Sequence, residues 1–179
     1  MKLMVASDIH GSAYYCKMLL EAFEKENPDK LLLLGDILYH GPRNDFPEGY
    51  APKQVISMLN EYKNKILCVK GNCDTQVDQM VLEFPILSDY AVIFDGYNLL
   101  YATHGHTYND VTPPPISNNE ILICGHTHVP KVVEKDNFLY INVGSVSIPK
   151  ENSPHSYMII KNGEFQWKNL VNGNVYMVK

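Results

Sequence analysis

Apolar positions open the chain as a short continuous run, Leu3-Met4-Val5-Ala6, which breaks at Ser7-Asp8. A run of that length bounded by polar residues predicts a buried strand over Lys2 to Ala6. Met18, Leu19, Ala22 and Phe23 then recur at helical spacing, and Asn27-Pro28 ends the helix they define. Lys30 to Leu34 is a leucine run, expected as a strand buried on both faces in a parallel sheet. Val55, Ile56 and Leu59 mark the inner side of a second helix over Lys53 to Tyr62. Ile66 to Val69 is the third strand, and a short helical segment is expected between Asp74 and Glu83.

After Pro85 the period changes. Val92 to Phe94, Asn98 to Thr103, Ile121 to Cys124, Val132 to Glu134 and Phe138 to Asn142 are short apolar runs separated by turn residues, the pattern of successive strands. Ser156 to Lys161 and Glu164 to Asn169 flank Asn162-Gly163, a strong hairpin signal. Gly35 to Pro52 is rich in Gly, Pro and Asn and reads as a long loop, and Thr112-Pro113-Pro114-Pro115 as a short stiff one. No repeat, charge run or composition shift divides the chain, so residues 1–179 are expected as one domain. A βαβ-like first half and a β-rich second half predict an α/β fold with two mixed sheets face to face and helices outside.

Composition narrows the class without naming it. With 45% hydrophobic and 20% charged residues in 179, the chain can bury an ordinary globular core. A net charge of −5 argues against an extended nucleic-acid surface. No apolar run is long enough to cross a bilayer, and the opening strand turns polar too soon for a signal peptide. Cys16, Cys68, Cys73 and Cys124 form no Cys-x-x-Cys pair, so reduced thiols and a cytoplasmic location are expected.

The chemistry gathers just past the strands. Ser7-Asp8-Ile9-His10, Gly35-Asp36, Gly71-Asn72-Cys73-Asp74, His104-Gly105-His106 and Gly125-His126-Thr127-His128 each follow an expected strand. Ligands of α/β sheets collect beyond carboxyl strand ends, so these segments are expected to converge. Asp8 and His10, like His126 and His128, are two apart, which in extended backbone points both side chains the same way. Imidazole and carboxylate together suit Mn, Fe, Co, Ni or Zn, and Asp36 is the natural carboxylate to join two such ions. By formal counting, two divalent ions less Asp8, Asp36 and a hydroxide leave about one positive charge, which favours a phosphodiester monoanion.

Asp-x-His, Gly-Asp, Gly-Asn-x-Asp, Gly-His and Gly-His-x-His, in this order from Asp8 to His128, resemble the calcineurin-like metallophosphoesterase superfamily. Leu38 to Asn44 and Gly144 to Lys150 further resemble its small bacterial phosphodiesterases of the YfcE type, a likeness over nearly the whole chain. The resemblance implies a four-layer α/β/β/α sandwich. It implies one ion on Asp8, His10 and His128, a second on Asn72, His104 and His126, and Asp36 bridging. Asp36, Asn72 and His104 then count as catalytic, the expected ions are two Mn2+, and the reaction is in-line attack on phosphorus by a hydroxide bridging them. Many superfamily members carry histidine where Cys73 stands. Thiol is a poor acid for an alkoxide, so a preference for good leaving groups is expected.

Other residues carry weaker expectations. Arg43 is a candidate grip on a phosphate oxygen, beside the plain reading as a solvated arginine. His40 is a candidate substitute for the absent acid, His106 a neighbour of the ligands, and His155 a surface or strand residue. Asp74 either orients the loop or an imidazole, or caps the helix after it. The expected partners are a small phosphodiester and a second copy of the chain. The rival readings are a non-catalytic interaction scaffold of the same fold, as in the retromer subunit, and a phosphomonoesterase or cyclic-nucleotide phosphodiesterase.

Overall fold

The computed structural model describes residues 1–179. Its first half runs β1 (Lys2–Ala6), α1 (Ala13–Glu26), β2 (Lys30–Leu33), α2 (Pro52–Glu61), β3 (Ile66–Cys68) and α3 (Gln76–Gln79). The second runs β4 (Tyr90–Phe94), β5 (Leu99–Thr103), β6 (Glu120–Cys124), β7 (Lys131–Glu134), β8 (Phe138–Asn142), β9 (Ser156–Lys161), β10 (Glu164–Asn169) and β11 (Val175–Val178). One sheet has the order β11-β10-β9-β1-β2-β3 and the other β4-β5-β6-β8-β7. β1, β2 and β3 are mutually parallel, as are β5, β6 and β8. The C-terminal hairpin adds to the first sheet through antiparallel β9 on β1.

Side-chain alternation assigns the two faces of the first sheet. Met4, Ala6, Leu31, Leu33, Ile66 and Ile159 meet Leu19, Phe23, Val55 and Leu59 of the two long helices. Leu3, Val5, Leu32, Leu34, Met158 and Trp167 pack instead with Leu100, Ile121, Ile123 and Ile141 of the second sheet. Two sheets in contact with helices outside is the expected α/β sandwich. Its outer layer is uneven: all three helices lie in the first half of the chain, and on the far face of the second sheet Leu122, Cys124, Phe138 and Tyr140 pack with Tyr101 and Val133 of the same sheet and with Ile116 of a loop.

Local chemistry explains the element ends. Ser12 accepts the Tyr15 N–H at 3.2 Å and starts α1, and Asn27 closes it in the left-handed region at φ 46°. The helical segment expected from Asp74 shrinks to Gln76–Gln79, because Thr75 and Asp78 form a reciprocal capping box and Asp74 is engaged elsewhere. β11 is not foreseen by the hydrophobic pattern. Its residues are mostly exposed, so its order comes from pairing with β10 across an irregular register. No helix is long and apolar enough to cross a membrane.

Candidate metal centre

Parallel β1, β2 and β3 of one sheet and β5 and β6 of the other release their chains at one end of the sandwich. Asp8 and His10 follow β1, Asp36 follows β2, Asn72 follows β3, His104 follows β5, and His126 and His128 follow β6. The convergence does not use extended backbone. Asp8, His10, Asp36, His126 and His128 all take positive φ, between 47° and 66°. Asp and His tolerate that region better than most residues, but five such positions in one site store strain. The two-apart spacing of Asp8 and His10 therefore works through left-handed turns and not through strand alternation.

Close approach completes the scaffold. A β-carbon on Gly71 would lie 2.1 Å from Asp36 Oδ1, and one on Gly125 would lie 2.0 Å from Ser7 Oγ. The carboxylate of Asp74 accepts the N–H groups of Asp36 (2.8 Å), Ile37 (2.9 Å) and Gly71 (2.8 Å), so it ties the loops after β2 and β3 together. Asp74 thus orients loops; the helix is capped by Thr75. Burial pushes its carboxyl above the ordinary range, with the backbone N–H groups opposing. Ser145 and Ser147 hydroxyls donate to the Asp8 carbonyl at 3.1 and 2.9 Å and hold that strained residue in place.

The imidazoles are aimed by their outer nitrogens. Nδ1 of His10 lies 2.7 Å from the Tyr39 carbonyl, that of His104 2.6 Å from Leu34, and that of His128 2.6 Å from Ile148. A carbonyl only accepts, so each Nδ1 carries the proton and each neutral ring turns a lone pair on Nε2 inward. His10 and His128 Nε2 then face each other at 3.4 Å, with Asp8 Oδ1 3.5 and 3.3 Å away. His104 Nε2 lies 3.0 Å from Asn72 Oδ1, 3.2 Å from His126 Nδ1 and 3.5 Å from Asp36 Oδ2. Asp36 Oδ2 is also 3.7 Å from His10 Nε2, midway in the chain of contacts.

Asp8 Oδ1, Asp36 Oδ2, Asn72 Oδ1 and the Nε2 atoms of His10, His104 and His128 are acceptors, and Asp8 Oδ1 is buried without a hydrogen-bond partner. Acceptors packed against acceptors repel unless a cation sits among them. Asp8, His10 and His128 are one group spaced to hold a metal ion; Asp8, Asp36 and His104 are another, and His10, Asp36 and Cys73 a third. The donor set therefore fits the divalent ions expected of it. Without a cation, protons take that role. Burial opposes charge on His104, but Asp36 and Asp8 outweigh it and lift the group to about 9. Burial also opposes charge on Asp8, yet His10 and His128 hold it well below the usual range. His126 is driven to about 4 by burial and the charge of His104.

A cavity of about 460 Å³ opens onto these atoms, walled by His10, Asp36, Asn72, His126 and His128 together with Gly41, Pro42, Arg43, Asn44, Cys73, Thr127 and Lys150. Arg43 and Cys73 both line this cavity. Burial and the charge of Asp36 push the Cys73 thiol up. His40 is not on the wall. Its ring is packed among Tyr39, Phe46 and Tyr50 at centroid distances of 4.7, 4.6 and 5.3 Å. His106 stands 5.4 Å from His104 and 6.1 Å from His126, a neighbour of the ligands. His155 is not a plain surface residue: it stacks on Tyr15 at 4.0 Å. Sequence spacing missed Lys150, Thr127 and Asn44, which belong to no ligand pattern, and the two serines under Asp8.

Two packed sheets that bring Asp, Asn and His acceptors to their parallel strand ends, around a polar cavity, define a metal-dependent hydrolase of the sandwich type. The chain belongs to the calcineurin-like phosphoesterase superfamily, whose domain matches residues 1–164. It is 45% identical to the phosphodiesterase YfcE of Escherichia coli (strain K12) over 162 residues, covering 90% of this chain and 88% of that protein. The solved structure of YfcE, a phosphoesterase from E. coli, superposes with a TM-score of 0.96 at 41% identity, covering 100% of this chain and 98% of the other. Vacuolar protein sorting 29 from Cryptosporidium parvum shares the fold at a TM-score of 0.63 and 17% identity, over 99% of this chain and 96% of that one. Membership of the family implies divalent metal ions.

Proposed function

We propose that the chain is a phosphodiesterase in which Asp8, His10 and His128 hold one divalent ion and Asn72, His104 and His126 a second, with Asp36 shared. The observation that carries this reading is the ring of inward lone pairs on residues of both sheets, including Asp8 Oδ1 buried without a partner. Divalent ions supply Lewis acidity at phosphorus and a nucleophilic water near neutral pH. Manganese is the proposed native ion, from a donor set that also suits Fe, Co, Ni and Zn. Asn72 and His104 stand beside Asp36 as the residues next to the reacting group. Arg43, on the cavity wall, grips a non-bridging oxygen of the scissile phosphate through its planar fork. Cys73 leaves the departing oxygen without a strong acid, so esters with good leaving groups are favoured.

The cavity volume supports a small diester. Four free, buried cysteines support a reducing cytoplasm. Exposed Tyr90, Val92 and Phe94 on the edge strand β4 support pairing with a second copy. The test is hydrolysis of bis-p-nitrophenyl phosphate with manganese or with chelator, beside Asp36→Asn. Manganese-dependent turnover that Asp36→Asn lowers by at least on the order of a hundredfold is expected, the scale on which metal sites respond to lost partners. A negligible rate that neither metal nor substitution alters would instead identify an interaction scaffold.

A further inference from the structure

The part of the cavity wall not assigned to an ion carries two full positive charges, Arg43 and Lys150, and no acid. They arrive on separate loops, Arg43 between β2 and α2 and Lys150 between β8 and β9. The Lys150 position is fixed to the metal centre. Its N–H donates to the His128 carbonyl at 3.2 Å, and the Ser153 N–H (3.0 Å) and hydroxyl (2.6 Å) donate to its own carbonyl. Six of the fourteen lysines pair with carboxylates, and Lys150 is among the eight that do not. In a chain with twenty acids against fifteen bases, a cation that faces a cavity without such a partner is available to a ligand.

The two cations differ in what they recognise. Arg43 is the only arginine in the chain. Its planar fork matches two oxygens of one phosphoryl group, which is the task already given to it. The single charge of a diester monoanion is already met by the ions and by Arg43, so Lys150 is left over. Its ammonium is a compact point charge that pairs with an oxyanion in several orientations. A neutral substrate arm leaves that charge unanswered, and a cationic arm is repelled.

We propose that the substrate carries a second oxyanion, a carboxylate or a phosphate, on the arm remote from the leaving group, and that Lys150 receives it. The inference rests on the phosphodiesterase reading and names the substrate class. It makes Lys150 a residue that selects substrates by charge, while Arg43 serves the scissile group.

The test uses p-nitrophenyl phosphodiesters whose second arm is a short alkyl chain ending in methyl, carboxylate, phosphate or trimethylammonium, with the manganese-loaded enzyme. The anionic arms are expected to exceed the methyl arm in kcat/KM by about fivefold at low salt, the scale of an exposed ion pair. Trimethylammonium ranks last, and the spread shrinks as salt rises. Whichever of carboxylate and phosphate ranks first identifies the group. Lys150→Met should bring all four arms to within about twofold, and Lys150→Glu should reverse their order. Phosphonate monoesters with the same arms, measured by calorimetry, report the ranking without turnover. Equal handling of the four arms by the native enzyme, or an order that survives Lys150→Met, overturns the proposal while leaving phosphodiester hydrolysis intact. Analogues that rank by charge with no diester hydrolysed would support the role of Lys150 and remove the phosphodiesterase reading instead.

Discussion

Cys73 sits on the cavity wall beside Asp36, whose carboxylate accepts the Cys73 N–H at 2.8 Å. Its thiol is pushed up by burial and by that neighbouring charge, and a weaker acid gives less help to a departing oxygen. Rates should therefore depend steeply on the pKa of the leaving group. Cys73→His places a group of suitable acidity there, so the slope should flatten, with poor leaving groups gaining about a hundredfold, the lower end of general acid catalysis. A Brønsted series of aryl and alkyl diesters measures it; equal slopes in the two proteins would sink the idea. At this scale the sequence was informative where chemistry is local. Asp8, His10, Asp36, Asn72, His104, His126 and His128 were legible because few other reasons gather such residues after strands. Lys150 was not legible, because an exposed lysine carries no signal until the fold sets its loop beside His128.

Elements convert those residues into a site through a few connecting groups. Asp74 joins the loops after β2 and β3 by accepting three backbone N–H groups. Asp74→Asn keeps the shape but turns one acceptor into a donor, facing a buried N–H that then has no partner. The expected loss is about 2 kcal/mol of stability, read by urea unfolding, together with weaker metal affinity because Asp36 moves. An unchanged midpoint and affinity would show the loops to be held by other contacts. Glu26 does comparable work at the end of α1, where Lys2 of β1 (3.0 Å) and Lys168 of β10 meet its carboxylate. Burial raises that carboxyl, but the two ammonium groups outweigh it and its pKa is lowered in the folded chain. A depressed carboxyl stabilises above its unfolded pKa and loses that contribution as pH falls through the folded one. Glu26→Gln should thus cost about 1 kcal/mol at neutral pH, screened as such partly open pairs are. The gap to the native protein should narrow as pH drops below 4.5. Unfolding curves at neutral and acidic pH decide it. The element pattern itself was readable from period and turn residues. β11 and the reduced α3 were not, since one depends on a neighbour to pair with and the other on where Asp74 points.

For the whole molecule, the proposed metal centre would also be a clasp between layers. Asp8, His10, Asp36 and Asn72 extend from the first sheet, and His104, His126 and His128 from the second. Between them the protein places acceptors from both sheets on positive-φ backbone, where protons or a cation must sit to hold that end of the sandwich together. A divalent ion bound only by the folded chain takes the place of those protons and adds its own binding free energy to folding. At a free concentration a hundredfold above its dissociation constant, one ion adds about 2.7 kcal/mol. Manganese should therefore raise the unfolding temperature of the chelator-treated protein, by about 2–4 °C per kcal/mol for a chain of this size. Removing one partner from either sheet is a sharper test than removing the ion. His10→Ala and His104→Ala act on opposite layers, so a clasp requires each to diminish the manganese-induced shift. A shift lost with His10→Ala but retained with His104→Ala would mean that the ion stabilises one sheet's loops and does not join the two. Differential scanning calorimetry of the three proteins, with and without manganese, separates these outcomes.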